Sequence, residues 1–305
     1  MAVTEEHIRS CPVCTSNRNI SAWTKAEIQV MRCSDCGMFF VRSIAQSLAS
    51  GDLYKTSLYH LSTDKLESDY APVRFDRELA LFRQFCPAGS VLDVGCSTGA
   101  FLYQLISRWP DLYRVSGMDV ALASVEFASA KGLTVNCGHF VDWDFCGEKF
   151  DAVTFWAVLE HLVSPKASLV KAADILKVGG HCVLLVPNAR SLAIRLLGHR
   201  YRYIMPEHLN YFSPVTMRLF AALEPRFTIR CLTGIHFNPI VLWQDWRSGG
   251  RPVPESERAQ LLKQTTTWKQ HPHRKSLKLL YRTCDRLLSR WQLADNLAVV
   301  LQRIS

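Results

Sequence analysis

Apolar residues along this chain fall into two alternating spacings. From Ser90 onward, short runs rich in Val, Ile, Leu and Phe recur: VLDVG, YRVSGMDV, LTVNC, FDAVTFW, HCVLLVPN, FTIRCL at 227–232 and NLAVVLQRI near the end. Between most of them, over Gly99 to Trp109, up to Lys131 and from Ser164 to Leu176, the pattern is that of a helix. Strands alternating with helices predict an α/β domain, a parallel Rossmann-like sheet with helices on both faces that FTIRCL and NLAVVLQRI extend to seven strands. Leu66, Tyr70, Val73, Leu79 and Phe82 repeat at helical spacing and predict a helix over Leu66 to Phe85. About 60 residues between the sixth and seventh strands read as a polar loop, SGGRPVPESE, and then a helix. The predicted organisation is a small unit over 1–45, a linker with N-terminal helices over 46–89, and the α/β domain over 90–305 with a helical insertion at about 239–294.

Composition agrees with a folded chain, since 48% apolar residues in 305 supply a sizeable core. No apolar run approaches the roughly 20 residues that span a bilayer. The opening MAVTEEHIRS is acidic and polar where a signal peptide would be basic and then apolar, so the cytoplasm is the expected compartment. The net charge of +9 is concentrated late: from Pro239 onward there are twelve Lys/Arg against five Asp/Glu. A solvated basic face accounts for this, and so would nucleic acid, an anionic membrane or a phosphorylated substrate.

Of eleven cysteines, four form two Cys-x-x-Cys pairs, Cys11/Cys14 and Cys33/Cys36, 18 residues apart, and seven are scattered singly. Four thiolates at this spacing suit a closed tetrahedral zinc site that holds a small, nearly coreless ribbon together. With no open coordination position, the zinc is expected to be structural.

The segment VLDVGCSTGAFL, residues 91–102, is an apolar strand ending in a glycine-rich turn that opens a helix. Gly95 and Gly99 allow close backbone approach to a ligand, and the helix N-terminus offers unpaired N–H groups. Such a turn also fits nicotinamide enzymes. Asp119 ends the next strand, 26 positions after Asp93, where a carboxylate can accept both hydroxyls of a ribose. DVGCSTG resembles the D-x-G-x-G-x-G turn of class I S-adenosylmethionine-dependent methyltransferases, with Ser97 in place of the middle glycine. KFDAVTFWAVLEHLVSP (149–165) and ILKVGGHCVLLVPN (175–188) are similar to that family's fourth strand, following helix and fifth strand. The resemblance covers about residues 66–238 and implies S-adenosylmethionine as cofactor. By this resemblance Asp93, Gly95, Cys96, Ser97 and Gly99 cradle the methionine side, with Cys96 equally a small packing residue. Asp119 with Val120 holds the ribose, His139 and Phe140 flank the adenine or simply pack their loop, and Phe155 and Trp156 wall the cofactor, unless Trp156 fills the core.

Within the family the likeness is to the ubiquinone-biosynthesis O-methyltransferase type and its bacterial relatives. Glu160 and His161 carry it. Those enzymes show Glu-x-x-Glu-His, which holds a divalent metal, but here the first position is Ala157, leaving Glu160 and His161 too few ligands for a Mg²⁺ site of their own. The two residues either act directly or cap the following loop. In RLLGHRYRYIMPEHLNYFSP (195–214), where the fold places acceptor-binding segments, His208 suits a general base or is a structural histidine bonded to a loop carbonyl. Tyr201, Tyr203, Tyr211 and Phe212 are available to stack on a ring or sugar, and Asn188 to orient an acceptor. Leu277, Leu280, Cys284, Leu287 and Trp291 form one helical stripe beside Lys278, Arg282, Arg286 and Arg290. This basic amphipathic helix, 274–291, is expected to pack on the sheet with its arginines in solvent, the alternative being peripheral contact with an anionic membrane. Methylation of a small molecule or glycan, a nucleotide- or lipid-linked sugar or a secondary metabolite, is the expected activity. An RNA methyltransferase docking through the knuckle and basic helix, and a non-catalytic cofactor-binding scaffold, are the alternatives.

Overall fold

In the computed structural model, which describes residues 6–25, 28–55, 58–251, 254–270 and 275–305, the paired cysteines sit in turns of a small antiparallel ribbon. Its strands are β1 (Glu6–Ile8), β2 (Asn19–Lys25), β3 (Ile28–Cys33), β4 (Phe39–Val41) and β5 (Ser43–Ala45), with β1 paired to β5 and β2, β3 and β4 forming a meander. Alternation in β3 buries Ile28 and Val30 and turns Gln29 outward, as the two-residue period of a strand requires, and the pattern breaks at the cysteine turn, where Cys33 is buried and Arg32 exposed. Trp23 stacks on Phe39 with ring centres 4.5 Å apart.

The apolar runs from Gly89 onward become β6 (Gly89–Val94), β7 (Tyr113–Asp119), β8 (Val135–Cys137), β9 (Phe150–Trp156) and β10 (Leu176–Pro187). β11 (Asn210–Tyr211) leaves this domain and pairs antiparallel with β4, placing Asn210 opposite Phe40. β12 (Phe227–Ile235) and β13 (Asn296–Arg303) complete a seven-stranded sheet of order β12-β13-β10-β9-β6-β7-β8. The β6–β10 pairings are parallel, while β13 lies antiparallel to both neighbours. Successive strand residues feed opposite faces: Leu92, Val94, Phe155 and Leu184 enter one core, Val91, Ala152, Val183 and Val300 the other.

Three expectations change. The helix predicted over Leu66 to Phe85 is two helices, Thr63–Asp69 and Asp76–Phe85, because Pro72 between them lacks an N–H and disfavours helical backbone before it. The insertion begins with a helix, Pro239–Ser248, whose start is fixed by the Asn238 side-chain oxygen accepting from Ile240 and Val241 N–H, before Glu255–Gln270 and Lys275–Arg290. Among its described residues the basic helix does not pack by its apolar stripe. Cys284, Leu287 and Trp291 are exposed together with Arg286 and Arg290, while Asp285 and Ser289 face inward. The inward face is polar because Asp285 pairs with Arg77 and accepts from Phe237 N–H. The side chains of Leu277, Lys278, Leu280 and Arg282 lie outside the described residues. Among the described residues no helix is long and apolar enough to cross a membrane.

Candidate active site

The turn after β6 is held by two groups at the end of β7. Gly95 and Cys96 N–H donate to the Met118 carbonyl at 2.8 and 3.1 Å, and Ser97 N–H donates to Asp119 Oδ2 at 2.8 Å. Asp119 Oδ1 accepts from Ala121 N–H at 2.9 Å, so the carboxylate expected to hold a ribose also fixes the turn. Gly95 has φ +68°, and a Cβ there would lie 2.6 Å from Val158. Ser97 takes a left-handed φ of 51°, so it fills the middle-glycine position without changing the turn's course. Gly99, at φ +76°, opens the helix Ala100–Arg108, but its Cα faces Leu133, where a Cβ would come within 2.3 Å. It serves close packing and does not line the cavity beside the turn. Asp93 is buried and accepts from Thr154 Oγ1 at 2.6 Å, and burial pushes its carboxyl up to about 7. Burial likewise raises the Asp119 carboxyl.

A cavity of about 720 Å³ lies at the C-terminal ends of β6, β7 and β9, lined by Asp93, Gly95, Cys96, Ser97, Asp119, Val120, His139, Phe140 and Trp156. That volume falls in the range of roughly 300–1,000 Å³ usual for small-molecule sites. Phe155 is corrected by strand geometry: adjacent residues of β9 point to opposite faces, so Trp156 reaches the cavity and Phe155, 1% exposed, packs against Phe140 in the core beneath. Five buried polar atoms of lining residues have no partner in the protein: Ser97 Oγ, Trp156 Nε1, His60 Nδ1, Glu78 Oε2 and Glu207 Oε2. Buried polar groups are otherwise nearly always satisfied, so their concentration in one cavity marks a place for a polar ligand. The glycine turn, the carboxylate of Asp119 and these unspent atoms fit a nucleoside-bearing cofactor such as S-adenosylmethionine.

At the far end of the cavity, segments distant in sequence converge. His161 Nδ1 lies 2.8 Å from the Glu207 carbonyl and 3.1 Å from the Tyr54 hydroxyl, which itself donates to the same carbonyl. His208 Nδ1 lies 2.9 Å from the Tyr203 carbonyl, and the two imidazole rings are 4.8 Å apart. Nδ1–H donation to a carbonyl places the ring's lone pair on Nε2. Glu160 is buried beside them, and burial raises its carboxyl to about 8 and lowers the His161 imidazolium. Ligand atoms of Glu160, His161 and His208 all lie within 4.8 Å of one another. The pair that was short of metal ligands in sequence thus gains a third, although Ala157 still supplies none. Two imidazoles and one carboxylate suit a transition metal better than Mg²⁺.

Other acceptor-side expectations are overturned. Tyr201, Tyr211 and Phe212 are fully buried and only Tyr203 of that group lines the cavity. Asn188 is consumed by backbone, donating to the Gln292 and Ala294 carbonyls and accepting from Arg190 N–H. Tyr54, His60, Lys65, Arg74 and Glu78 line the cavity and were not singled out from sequence. All five fall in the 46–89 stretch read as a linker with N-terminal helices.

In the ribbon the Sγ atoms of Cys11, Cys14, Cys33 and Cys36 all lie within 4.8 Å of one another, with Cys11–Cys36 and Cys14–Cys33 at 3.5 Å. Four sulfurs so gathered fit a single tetrahedral zinc ion.

The profile of the methyltransferase domain family matches residues 69–222, half of the chain and the whole of the cavity's glycine turn. The chain belongs to the class I S-adenosylmethionine-dependent methyltransferase family. Within it, the chain is similar to the ubiquinone biosynthesis O-methyltransferase of Alkalilimnicola ehrlichii, 26% identical over 49% of this chain and 65% of the relative. It is similar also to the protein of the same name from Dinoroseobacter shibae, 32% identical over 53% of this chain and 68% of that one. The chain thus spans just under two thirds of the A. ehrlichii relative. Among solved methyltransferases, the S-adenosylmethionine-dependent enzyme of Thermotoga maritima shares the fold, with a TM-score of 0.53 and 15% identity over 83% of this chain and 99% of that one.

Proposed function

We propose that this protein is an enzyme that transfers the methyl group of S-adenosylmethionine to an oxygen of a small molecule or glycan, and that its four ribbon cysteines hold a structural zinc ion. The observation that carries the activity is the single cavity that joins Asp119 and the glycine turn at one end to His161 and His208 at the other. The similarity to ubiquinone-biosynthesis O-methyltransferases supports oxygen as the acceptor atom.

S-adenosylmethionine, when bound, supplies a sulfonium methyl that is already electrophilic, so the protein's task is chiefly to align a nucleophile in line with it. Asp119 accepts the ribose hydroxyls, with the Ser97 N–H fixing its carboxylate, and Ser97 Oγ and Trp156 Nε1 have hydrogen bonds to give. His208, turned by the Tyr203 carbonyl so that Nε2 is its basic nitrogen, takes the proton of the acceptor hydroxyl. His161, held by Glu207 and Tyr54, keeps its own Nε2 toward the same space. Glu160 is buried beneath them, and burial raises its carboxyl to about 8.

Peripheral contact with an anionic bilayer belongs to the same reading, supported by the exposed Leu287 and Trp291 beside Arg286 and Arg290. So does the cytoplasm, where single thiols such as Cys96 and Cys182 stay reduced. Calorimetric titration with S-adenosylmethionine, repeated on Asp119→Ala, tests the core of the proposal. Binding that weakens by about tenfold or more in the variant, one lost charged hydrogen-bond acceptor being worth roughly 1.5–3 kcal/mol, is expected. No binding by the intact zinc-loaded protein would remove the enzymatic reading.

A further inference from the structure

Arg9 stands two residues before the first ribbon cysteine and is 7% exposed. Its Nη2 donates to the Asn210 side-chain oxygen at 2.5 Å, and its guanidinium lies 5.9 Å from the centre of the Phe40 ring. Nε and Nη1 are buried with no partner in the protein. A guanidinium stays charged wherever a protein is folded, so the ribbon encloses a cation with two of its three nitrogens unpartnered. Such a group is strongly unfavourable unless an anion answers it. The guanidinium interacts electrostatically with Cys11, and four thiolates around one zinc ion leave a net double negative charge.

The other end of Arg9 leads to the catalytic turn. Asn210, fully buried in β11, donates its side-chain N–H groups to the carbonyls of Leu159 at 2.8 Å and Leu162 at 2.7 Å, on either side of Glu160 and His161. Next to it, Leu209 N–H donates to the Glu160 carbonyl at 2.7 Å. His208 is two residues before Asn210, and β11 exists as a strand only because β4 of the ribbon pairs with it. A line of buried hydrogen bonds therefore runs from Arg9, two residues before the first ribbon cysteine, through Asn210 to the turn at 159–162.

We infer that Arg9 is a positioning residue, the counter-ion of the four-thiolate zinc centre, which through Asn210 makes the order of the Glu160–His161 turn depend on zinc occupancy. This rests on the zinc assignment above and not on the identity of the acceptor.

The test uses the full chain and two readouts, zinc release to a chromogenic chelator and hydrogen exchange of residues 159–162 and 208–211. Zinc-loaded wild type is expected to protect the turn, and chelation to speed its exchange while β6 and β9 stay protected. Arg9→Gln should release zinc about tenfold or more faster, as loss of an outer-shell partner of a metal site typically does, and should exchange faster at the turn even in excess zinc. Arg9→Lys keeps the charge but not the planar fork, so its zinc release should stay near wild type while the turn loosens. Asn210→Ser should retain zinc and lose turn protection. Wild-type zinc release in Arg9→Gln, or turn exchange unchanged by chelation, overturns the inference while leaving the zinc assignment standing. Purified wild type that carries no zinc removes both.

Discussion

At the scale of single residues, the site is governed by what burial does to carboxyl groups. Asp93 keeps one hydrogen bond, from Thr154, and burial outweighs it, so its carboxyl titrates at about 7 in the folded chain against 3.8 when unfolded. A group raised in this way contributes stability that is complete below its unfolded value and is lost as pH rises through its folded one. Asp93→Asn preserves the shape and removes the titration. Its melting temperature relative to wild type should therefore climb between pH 4 and about 7 and then level off, by roughly 2–4 °C for each kcal/mol relieved. A difference that stays flat over that window would show Asp93 to be ionised in the fold. Much of this chemistry was legible in sequence, since a strand, a glycine turn and a second acidic strand end are local patterns. Phe155 was misplaced because the face a strand residue takes depends on which neighbours pair with that strand. Tyr54 was missed because its partners His161 and Glu207 are distant in sequence, and no periodicity records their meeting.

At the scale of elements, an interior hydrogen bond between His236 and Glu78 secures the helix Asp76–Phe85. Burial alone would raise the Glu78 carboxyl, but His236 at 2.7 Å and Arg74 outweigh it and hold it down at about 2. The pair ties this helix to the residue after β12, where the insertion departs. For a depressed carboxyl the contribution is present above its unfolded value of 4.5 and is lost as pH falls toward 2. His236→Ala removes a hydrogen bond to a buried carboxylate that keeps Arg74 beside it, and about 1.5–3 kcal/mol of destabilisation near neutrality is expected. Melting curves should show the deficit shrinking on acidification, and a deficit independent of pH would mean that His236 acts by packing alone. The two helices on either side of Pro72 follow the same logic of local signals read correctly and joined wrongly. The apolar spacing from Leu66 to Phe82 is real, but a helix cannot run unbroken through a residue with no N–H to donate.

At the scale of the whole molecule, the helix Lys275–Arg290 lies along β12 with Arg286 and Arg290 in solvent as expected, but Cys284, Leu287 and the following Trp291 are exposed as well. Amphipathic spacing reports two faces and not which one the fold will cover, and here Arg77 and Phe237 claim the side bearing Asp285. Leu287→Ser with Trp291→Ser should leave thermal stability within about 0.5 kcal/mol of wild type, as exposed substitutions do. The same double variant should abolish sedimentation with phosphatidylserine-containing vesicles. Equal sedimentation of variant and wild type, or equal binding to neutral vesicles, would remove the membrane from the proposed function.

The sheet shared between β4 and β11 sets how this architecture can change over evolutionary time. Ile28, Val30 and Val41 of the ribbon pack in one cluster with Ala189, Ile194 and Leu209, and the ribbon's last strand comes from the middle of the other domain. An appendage on a tether can be traded between proteins as a cassette. This one cannot: any donor sequence must bring a matching edge strand and an apolar floor. The cysteine ribbon and the loops of the other domain are therefore expected to diversify together, each acting as the template against which the other is selected.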